Sequence, residues 1–321
     1  MAIKLIGCFA ASFAAVIVLM PHFIQYLKKI SCNQSVSEYS IDAFKKKEKT
    51  PVMGGILFIA VPVIMTILMD PRCVTDIDTA IVLLSFVGYG AIGFLDDYLI
   101  VVKKNNDGLK PWQKFTLQLI LAVVFYLAYR SRPDLSVTLP GRSHIVWHLG
   151  RFYAILIFVM FTGSSNAVNL TDGMDGLAAG CTVCALLPFL VFAIQVHRLS
   201  LAIFIASLLG ALLGYLRYNV EPARIFMGDT GSLALGAVLA AMSMILKKEI
   251  LLIVIGGVFV IETVCVILQI SSVKLTGKRI FRYTPIHYAF VLDGMKPKNV
   301  VHMFWTLAAI FALLGLWLGL A

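Results

Sequence analysis

Apolar segments of about 20 residues, the length at which an α-helix crosses the hydrocarbon core of a bilayer, follow one another along most of the chain. Short polar stretches separate them. A hydropathy window of about 19 residues predicts an all-α polytopic membrane protein with one domain over 1–321. Its ten predicted spans are residues 4–27, 52–69, 79–101, 115–130, 152–168, 177–196, 199–216, 231–247, 250–270 and 301–320.

The composition supports this fold class and excludes an ordinary water-soluble enzyme. Hydrophobic residues make up 60% of the chain and charged residues 14%, whereas soluble domains have about 25% charged residues. The formal net charge is +10. In a membrane protein such an excess is typical of orientation signals and contact with anionic lipid, so no nucleic-acid partner is expected.

Basic residues predict how the chain is oriented. The loops that follow odd-numbered spans carry 18 of the 27 Lys and Arg residues, which predicts that these loops face the cytoplasm and that both termini lie outside. Eleven of the 17 Asp and Glu residues lie on the same side. This mixture suits a polyanionic substrate that is bridged to carboxylates by a divalent cation. On the outer side, alternating β-formers around Pro140 and Gly141 predict a short hairpin near 136–147.

Two adjacent acids lie where the third span ends. Asp96 and Asp97 belong to the segment Gly93-Phe-Leu-Asp-Asp-Tyr98. Neighbouring side chains on a helix point about 100° apart, so one carboxylate is expected to face a site while the other makes a separate contact. The alternative is that both are solvated charges at a helix end.

Two further polar segments lie on the predicted cytoplasmic side. Asn166 and Asn169 come close to the end of the fifth span and are followed by Asp172 and Asp175 among glycines. Polar side chains at membrane depth must face a cavity or a protein partner, which indicates a site. Asp229, between Gly228 and Gly231 before an apolar run, is either a helix N-cap or a ligand for a hard cation.

The last predicted cytoplasmic loop, 274–287, is strongly basic and ends at His287. Its charge is explained by topology or by contact with lipid headgroups. Glu262 and Gln269 are seven residues apart and share one face of the ninth span. An acid inside the membrane must be paired, protonated or turned towards a cavity.

Together these segments resemble the polyprenyl-phosphate N-acetylhexosamine-1-phosphate transferase superfamily, and within it the branch whose donor is UDP-MurNAc-pentapeptide. The resemblance covers nearly the whole chain, and several motifs in the same order are more specific than any one alone. They are TPVMGG at 50–55, FLDDY at 94–98, the spacing from Lys114 to Gln118, NAVNLTDGMDGLA at 166–178, FMGDTGSLALG at 226–236, ETVCVILQ at 262–269 and KRIFRYTPIH at 278–287.

The resemblance implies a Mg²⁺-dependent enzyme of the bacterial inner membrane, active at its cytoplasmic face and assembled as a homodimer. It would transfer phospho-MurNAc-pentapeptide to undecaprenyl phosphate, giving lipid I and UMP. The implied catalytic residues are Asp96, Asp97, Asp229 and His287, and the implied metal ligands are Asp229 and Asn169. The residues implied to bind substrate are Lys47, Thr50, Lys114, Asn169, Asp172, Gly173, Met174, Asp175, Asn219, Phe226 and Gln269.

The chain departs from the family pattern at two positions. The family usually has three consecutive histidines where this chain has His287, Tyr288 and Ala289, and a glycine where this chain has Lys49. The first difference concerns the feature that separates this branch from transferases that use UDP-GlcNAc. A transferase of that kind is therefore the nearest alternative function. A transporter or lipid flippase is a more distant one, because the polar residues gather at one membrane face and no inverted repeat is visible.

Overall fold

The computed structural model describes residues 1–30, 50–103, 108–130, 135–140 and 145–321. Within these ranges the chain forms twelve α-helices and one antiparallel strand pair, β1 (Ser136–Thr138) and β2 (Val146–His148). The helices are α1 Ala2–Lys29, α2 Gly55–Met69, α3 Ile77–Lys103, α4 Pro111–Tyr129, α5 Tyr153–Thr171, α6 Leu177–Gln195, α7 Leu199–Asn219, α8 Gly228–Ile245, α9 Glu249–Ile255, α10 Gly257–Thr276, α11 Ile286–Leu292 and α12 Pro297–Leu320.

The all-α membrane fold is confirmed, with a correction to the number of full-length spans. Among the described residues, nine helices are long and apolar enough to cross a membrane, and α2 is an apolar helix of 15 residues. Such a helix is only about 22 Å long against a hydrocarbon core of about 30 Å. It begins only at Gly55 because Pro51 and Gly54, just before it, are held to Phe226 by backbone hydrogen bonds of 2.9 and 2.8 Å.

The ninth predicted span, 250–270, is divided in the structure. α9 ends at Ile255 and α10 begins at Gly257, so Gly256 interrupts the helix. Two consecutive glycines disfavour a continuous helix, and Gly257 lies against the Phe311 ring, which a Cβ atom would approach to 2.7 Å. The hydropathy pattern contains no sign of this interruption because both sides of it are apolar.

The predicted outer hairpin is confirmed in its strands. Val137 pairs with Trp147 in an antiparallel register, while residues 141–144, and with them part of the expected turn, lie outside the described residues. The Lys247 ammonium donates to the Ser136 carbonyl at 2.5 Å and lies 3.5 Å from Glu249. These contacts fasten the hairpin to the start of α9.

The interior is built around α7 and α8, where Thr230–Ile245 are all buried. Small residues let the neighbouring backbones come close to α8: a Cβ atom on Gly236 would meet the Ser165 backbone of α5. Because the helices alternate in direction, α3, α5 and α7 end where α4, α6 and α8 begin. The polar segments singled out above therefore meet at one end of the bundle.

Candidate active site

Asp229 occupies the centre of the polar end of the bundle. It is the second residue of α8 and not its N-cap, which is Met227. Its Oδ1 atom accepts a hydrogen bond from the Asn169 amide at 2.7 Å, and its Oδ2 atom contacts the Lys114 ammonium. The Asn169 amide also donates to the Ser232 hydroxyl at 2.8 Å. Residues from α4, α5 and α8 thus converge on one carboxylate.

Asp97 holds the start of α8 from a neighbouring helix. Its Oδ1 atom accepts from the Asp229 backbone N–H at 3.0 Å, and its Oδ2 atom accepts from the Thr230 N–H at 3.0 Å and the Thr230 hydroxyl at 2.6 Å. The first N–H groups of a helix have no partner inside the helix, and a carboxylate is their favoured acceptor. Both Asp97 oxygens are therefore used to fix the position of Asp229.

Asp96 points in another direction, as expected for adjacent residues of a helix. Its Oδ1 atom accepts from the Leu109 backbone N–H at 2.9 Å, and its Oδ2 atom lies 3.8 Å from the Lys114 ammonium. Lys114 therefore lies between two carboxylates, those of Asp96 and Asp229. The expectation that the two adjacent carboxylates would make separate contacts is confirmed.

Two glycines allow α3 and the start of α8 to approach this closely. A Cβ atom on Gly93 would collide with the Asp229 backbone carbonyl, and one on Gly228 would collide with the Asp97 carboxylate. Gly228 also has φ +69°, a left-handed conformation that favours glycine. The separation between the two aspartates of α3 and Asp229 is thus set by direct contact with backbone.

The loop between α5 and α6 carries Asp172, Gly173, Met174 and Asp175. The Asp175 carboxylate accepts from the Ala223 N–H at 3.0 Å, and Met174 is buried. Ala223 belongs to the loop between α7 and α8, and Asn219 joins the same two loops. Its amide oxygen accepts from the Gly176 N–H at 3.0 Å, and its amide nitrogen donates to the Ile225 carbonyl at 2.9 Å.

The role of Asp175 and Asn219 in this structure is thus to fix the loop that presents Asp172 and Gly173. The Gly176 carbonyl accepts from the Trp305 indole at 3.0 Å, which ties the loop to α12 as well.

Gln269 binds the backbone of the basic segment 274–287. Its amide oxygen accepts from the N–H groups of Ile280 and Phe281, both at 3.0 Å, and its amide nitrogen donates to the Phe281 carbonyl at 3.0 Å. All its strong hydrogen-bonding groups hold the chain that leads to α11. The sequence motif marked Gln269 as important, but this structure assigns it to the support of the segment.

His287 and Tyr288, on α11, lie against Gly173. The Tyr288 hydroxyl donates to the Gly173 carbonyl at 3.0 Å, and burial raises the pKa of this phenol above its usual range, with Tyr283, Asp172 and Glu262 adding to the shift. Since a raised pKa keeps the phenol protonated at neutral pH, Tyr288 remains a hydrogen-bond donor. His287 pairs with Glu262, which confirms that the intramembrane acid has a partner.

The remaining predicted site residues lie at the edge of the polar cluster around Asp229 or outside the residues that the structure describes. Thr50 is half-buried and immediately precedes Pro51, whose carbonyl accepts a hydrogen bond from the Phe226 N–H. Lys47 lies outside the described residues. Sequence reasoning passed over Thr230, Ser232 and Tyr288, although the polar run from Asp229 to Ser232 at a helix start was a readable signal for the first two.

The donor atoms at Asp229 suit a hard cation. Among the described residues, no group of three or more His, Cys, Asp and Glu side chains is arranged to hold a metal ion. Mg²⁺ does not require such a group, because one or two carboxylates and the phosphates of a substrate usually complete its octahedral shell. The Asp229 carboxylate, whose side chain is 24% exposed, offers two oxygen ligands. Asn169 would ligate through its amide oxygen, whereas here its amide nitrogen donates to Asp229.

Known proteins share much of this sequence. The model of glycosyl transferase family 4 matches residues 79–247, a range that includes Asp96, Lys114, Asn169 and Asp229. That match defines the class of protein.

Curated relatives narrow it. The phospho-N-acetylmuramoyl-pentapeptide-transferases of Geobacillus sp. and Shouchella clausii are each 44% identical to this chain, over 309 and 311 residues, covering 96% of this chain and 95% of each relative. That of Oceanobacillus iheyensis is 44% identical over 312 residues, again 96% and 95%. The chain belongs to the phospho-N-acetylmuramoyl-pentapeptide-transferase family.

Proposed function

We propose that this protein transfers phospho-MurNAc-pentapeptide from UDP-MurNAc-pentapeptide to undecaprenyl phosphate, forming lipid I and UMP in peptidoglycan synthesis. One observation carries the proposal: relatives that bear the transferase name match 96% of the chain at 44% identity. The gathering of Asp96, Lys114, Asn169 and Asp229 at one end of the bundle supports it, because phosphoryl transfer depends chiefly on positioning and on neutralisation of charge.

We propose Mg²⁺ as the cofactor, with Asp229 and Asn169 as its protein ligands. When bound, the ion supplies neutralisation of the diphosphate charge and polarisation of a phosphoryl oxygen. The two carboxylates of Asp229 and Asp96, which share the Lys114 ammonium, support the presence of a cation here. Lys114 contacts the same carboxylate, and in this proposal its ammonium supplies a second positive charge to the substrate phosphates.

The reaction needs little covalent help from the protein. A phosphate monoester has a second pKa of about 6, so the lipid phosphate is largely dianionic at neutral pH and can attack without a strong base. In the proposed direct route, one of its oxygens forms a bond to the sugar-bearing phosphorus while the bond from that phosphorus to the UMP oxygen breaks. Asp96 orients the attacking phosphate, Lys114 neutralises charge on the departing UMP, and Asp97 keeps Asp229 in place.

The site is proposed to face the cytoplasm. The excess of Lys and Arg on the loops at this end of the bundle supports that orientation. The protein itself is a multi-pass protein of the bacterial inner membrane, with nine apolar helices of sufficient length among its described residues. A homodimer is also proposed, and the mass of the protein in detergent or nanodiscs tests it.

Purified protein should release UMP when given undecaprenyl phosphate, Mg²⁺ and UDP-MurNAc-pentapeptide. In a parallel reaction, UDP-GlcNAc replaces UDP-MurNAc-pentapeptide as the donor. UMP release with UDP-GlcNAc but not with UDP-MurNAc-pentapeptide would assign the protein to the neighbouring branch of the superfamily. If proteoliposomes accumulate a solute while no donor gives UMP, the protein is a transporter and the proposal is wrong.

A further inference from the structure

Glu262 of α10 is a fully buried acid with two partners in a single neighbouring segment. Its Oε2 atom accepts from the Ile286 backbone N–H at 2.8 Å, and its Oε1 atom lies 3.0 Å from the His287 Nδ1 atom. We propose that Glu262 is a positioning residue that acts through His287, leaving the His287 Nε2 atom to accept a hydrogen bond from an O–H or N–H group of the nucleotide-sugar donor. The inference rests on the proposed function.

The first step of the argument concerns the two ring nitrogens of His287. A carboxylate oxygen accepts hydrogen bonds, so the Nδ1 atom that faces Glu262 is the nitrogen that carries hydrogen. In the neutral ring the Nε2 atom then offers a lone pair. A carboxylate that orients an imidazole in this way fixes both the tautomer and the direction of the ring.

The second step concerns the surroundings of Nε2. His287 is fully buried, and its Nε2 atom has no hydrogen-bond partner among the described residues. A buried polar atom without a partner is uncommon and calls for an explanation such as a missing ligand. A Cβ atom on Gly173 would collide with this nitrogen. The unpartnered atom therefore lies directly against the backbone of the loop between α5 and α6, which carries Asp172 and Asp175.

The third step concerns how firmly the segment is held. Gln269 binds the backbone of Ile280 and Phe281, and Glu262, seven residues earlier on the same face of α10, binds Ile286 and His287. α10 therefore fixes the segment at two points. Glu262 differs from Gln269 in that one of its contacts is with a side chain, His287, and this side chain packs against Gly173.

The experiment measures the separate KM values for donor and lipid in Glu262→Gln, His287→Gln and the double variant. We expect Glu262→Gln to raise the donor KM about 5–50-fold, the fold-change that corresponds to about 1–2.4 kcal/mol at 1.4 kcal/mol per factor of ten. The KM for undecaprenyl phosphate should stay within about twofold. Because Glu262 acts through His287, the double variant should resemble His287→Gln alone.

Glu249→Gln is the matched control. Glu249 is also a buried acid and accepts from the Tyr153 hydroxyl at 2.5 Å, but it lies at the other end of the bundle. Its substitution should leave the donor KM unchanged. Glu262→Asp, which keeps the charge and shortens the side chain, provides a second variant if Glu262→Gln does not fold, and should give a smaller rise.

Equal changes in both KM values, or a Glu262→Gln effect that multiplies that of His287→Gln, would overturn the inference and leave Glu262 as a packing residue. An unchanged donor KM in a folded variant would overturn it too. These results are distinct from failure of the proposed function, in which the unsubstituted protein releases no UMP with UDP-MurNAc-pentapeptide.

Discussion

The capping of α8 by Asp97 leads to a prediction about the substitution Asp97→Asn. The asparagine amide keeps one acceptor oxygen but replaces the other with an NH₂ group. In the native structure both carboxylate oxygens face donors, the N–H of Asp229 on one side and the N–H and hydroxyl of Thr230 on the other. The substitution therefore sets donor against donor at the start of α8.

The magnitude follows from these contacts. Loss of a helix N-cap costs about 0.5–2 kcal/mol, and a buried donor without an acceptor costs about 1–3 kcal/mol. Since Asp97 is 7% exposed, we expect Asp97→Asn to lower the free energy of unfolding by about 2–4 kcal/mol. We also expect UMP release to fall about 100-fold, because a shift of about 1 Å in a positioned group can cost that much.

Thermal unfolding of the purified protein in detergent measures the first effect, and UMP release in the fraction that remains folded measures the second. Asp96→Asn is the matched comparison, because Asp96 accepts a single backbone hydrogen bond, from Leu109, and does not cap a helix. It should lose activity with a change in stability below about 1 kcal/mol. The assignment of Asp97 as the cap of α8 is wrong if Asp97→Asn has the same unfolding temperature as the unsubstituted protein. It is also wrong if Asp96→Asn destabilises the protein as much as Asp97→Asn does.

Three further predictions concern the metal, the helix contact and the reaction route. Asp229→Ala should abolish UMP release while the protein stays folded, and removal of divalent cations from the native protein should do the same until Mg²⁺ is restored; substantial Mg²⁺-dependent activity in the variant would contradict the ligand assignment. Gly93→Ala should destabilise the protein by about 1–3 kcal/mol through overpacking, whereas Gly88→Ala, which meets only the mobile end of Leu121, should be milder; equal unfolding temperatures would refute the contact. In single-turnover experiments with labelled donor and no lipid, the direct route predicts no UMP, and stoichiometric UMP would establish a covalent phospho-enzyme instead.

The sequence predicted the helices well because their apolar character is local. Most predicted spans agree with a helix to within a few residues, and the exceptions have specific causes outside the hydropathy pattern. α2 is short because residues 51–54 pair with Phe226, which is far away in the chain. α11 was not predicted, since seven residues are too few for helical periodicity to be recognised.

The sequence named residues for the candidate site, but it predicted only part of their arrangement. The divergence of Asp96 and Asp97 follows from helix geometry alone and was foreseen. That Asp97 caps α8, and that Gln269 supports a loop, depends on which helices become neighbours, and one sequence does not contain that information. The position of His287 beside Gly173 depends on Glu262 in the same way.

The contact of Gly93 with the Asp229 backbone bears on how the enzyme tolerates different membranes. A bilayer that is thinner or thicker than the hydrophobic length of a helix is accommodated in part by helix tilt. With backbone touching backbone, and no side chain between them to adjust, α3 and the start of α8 must tilt as one body. The distance from the α3 carboxylates to Asp229 should then stay constant when lipid composition changes. Other helices would tilt to match the bilayer thickness.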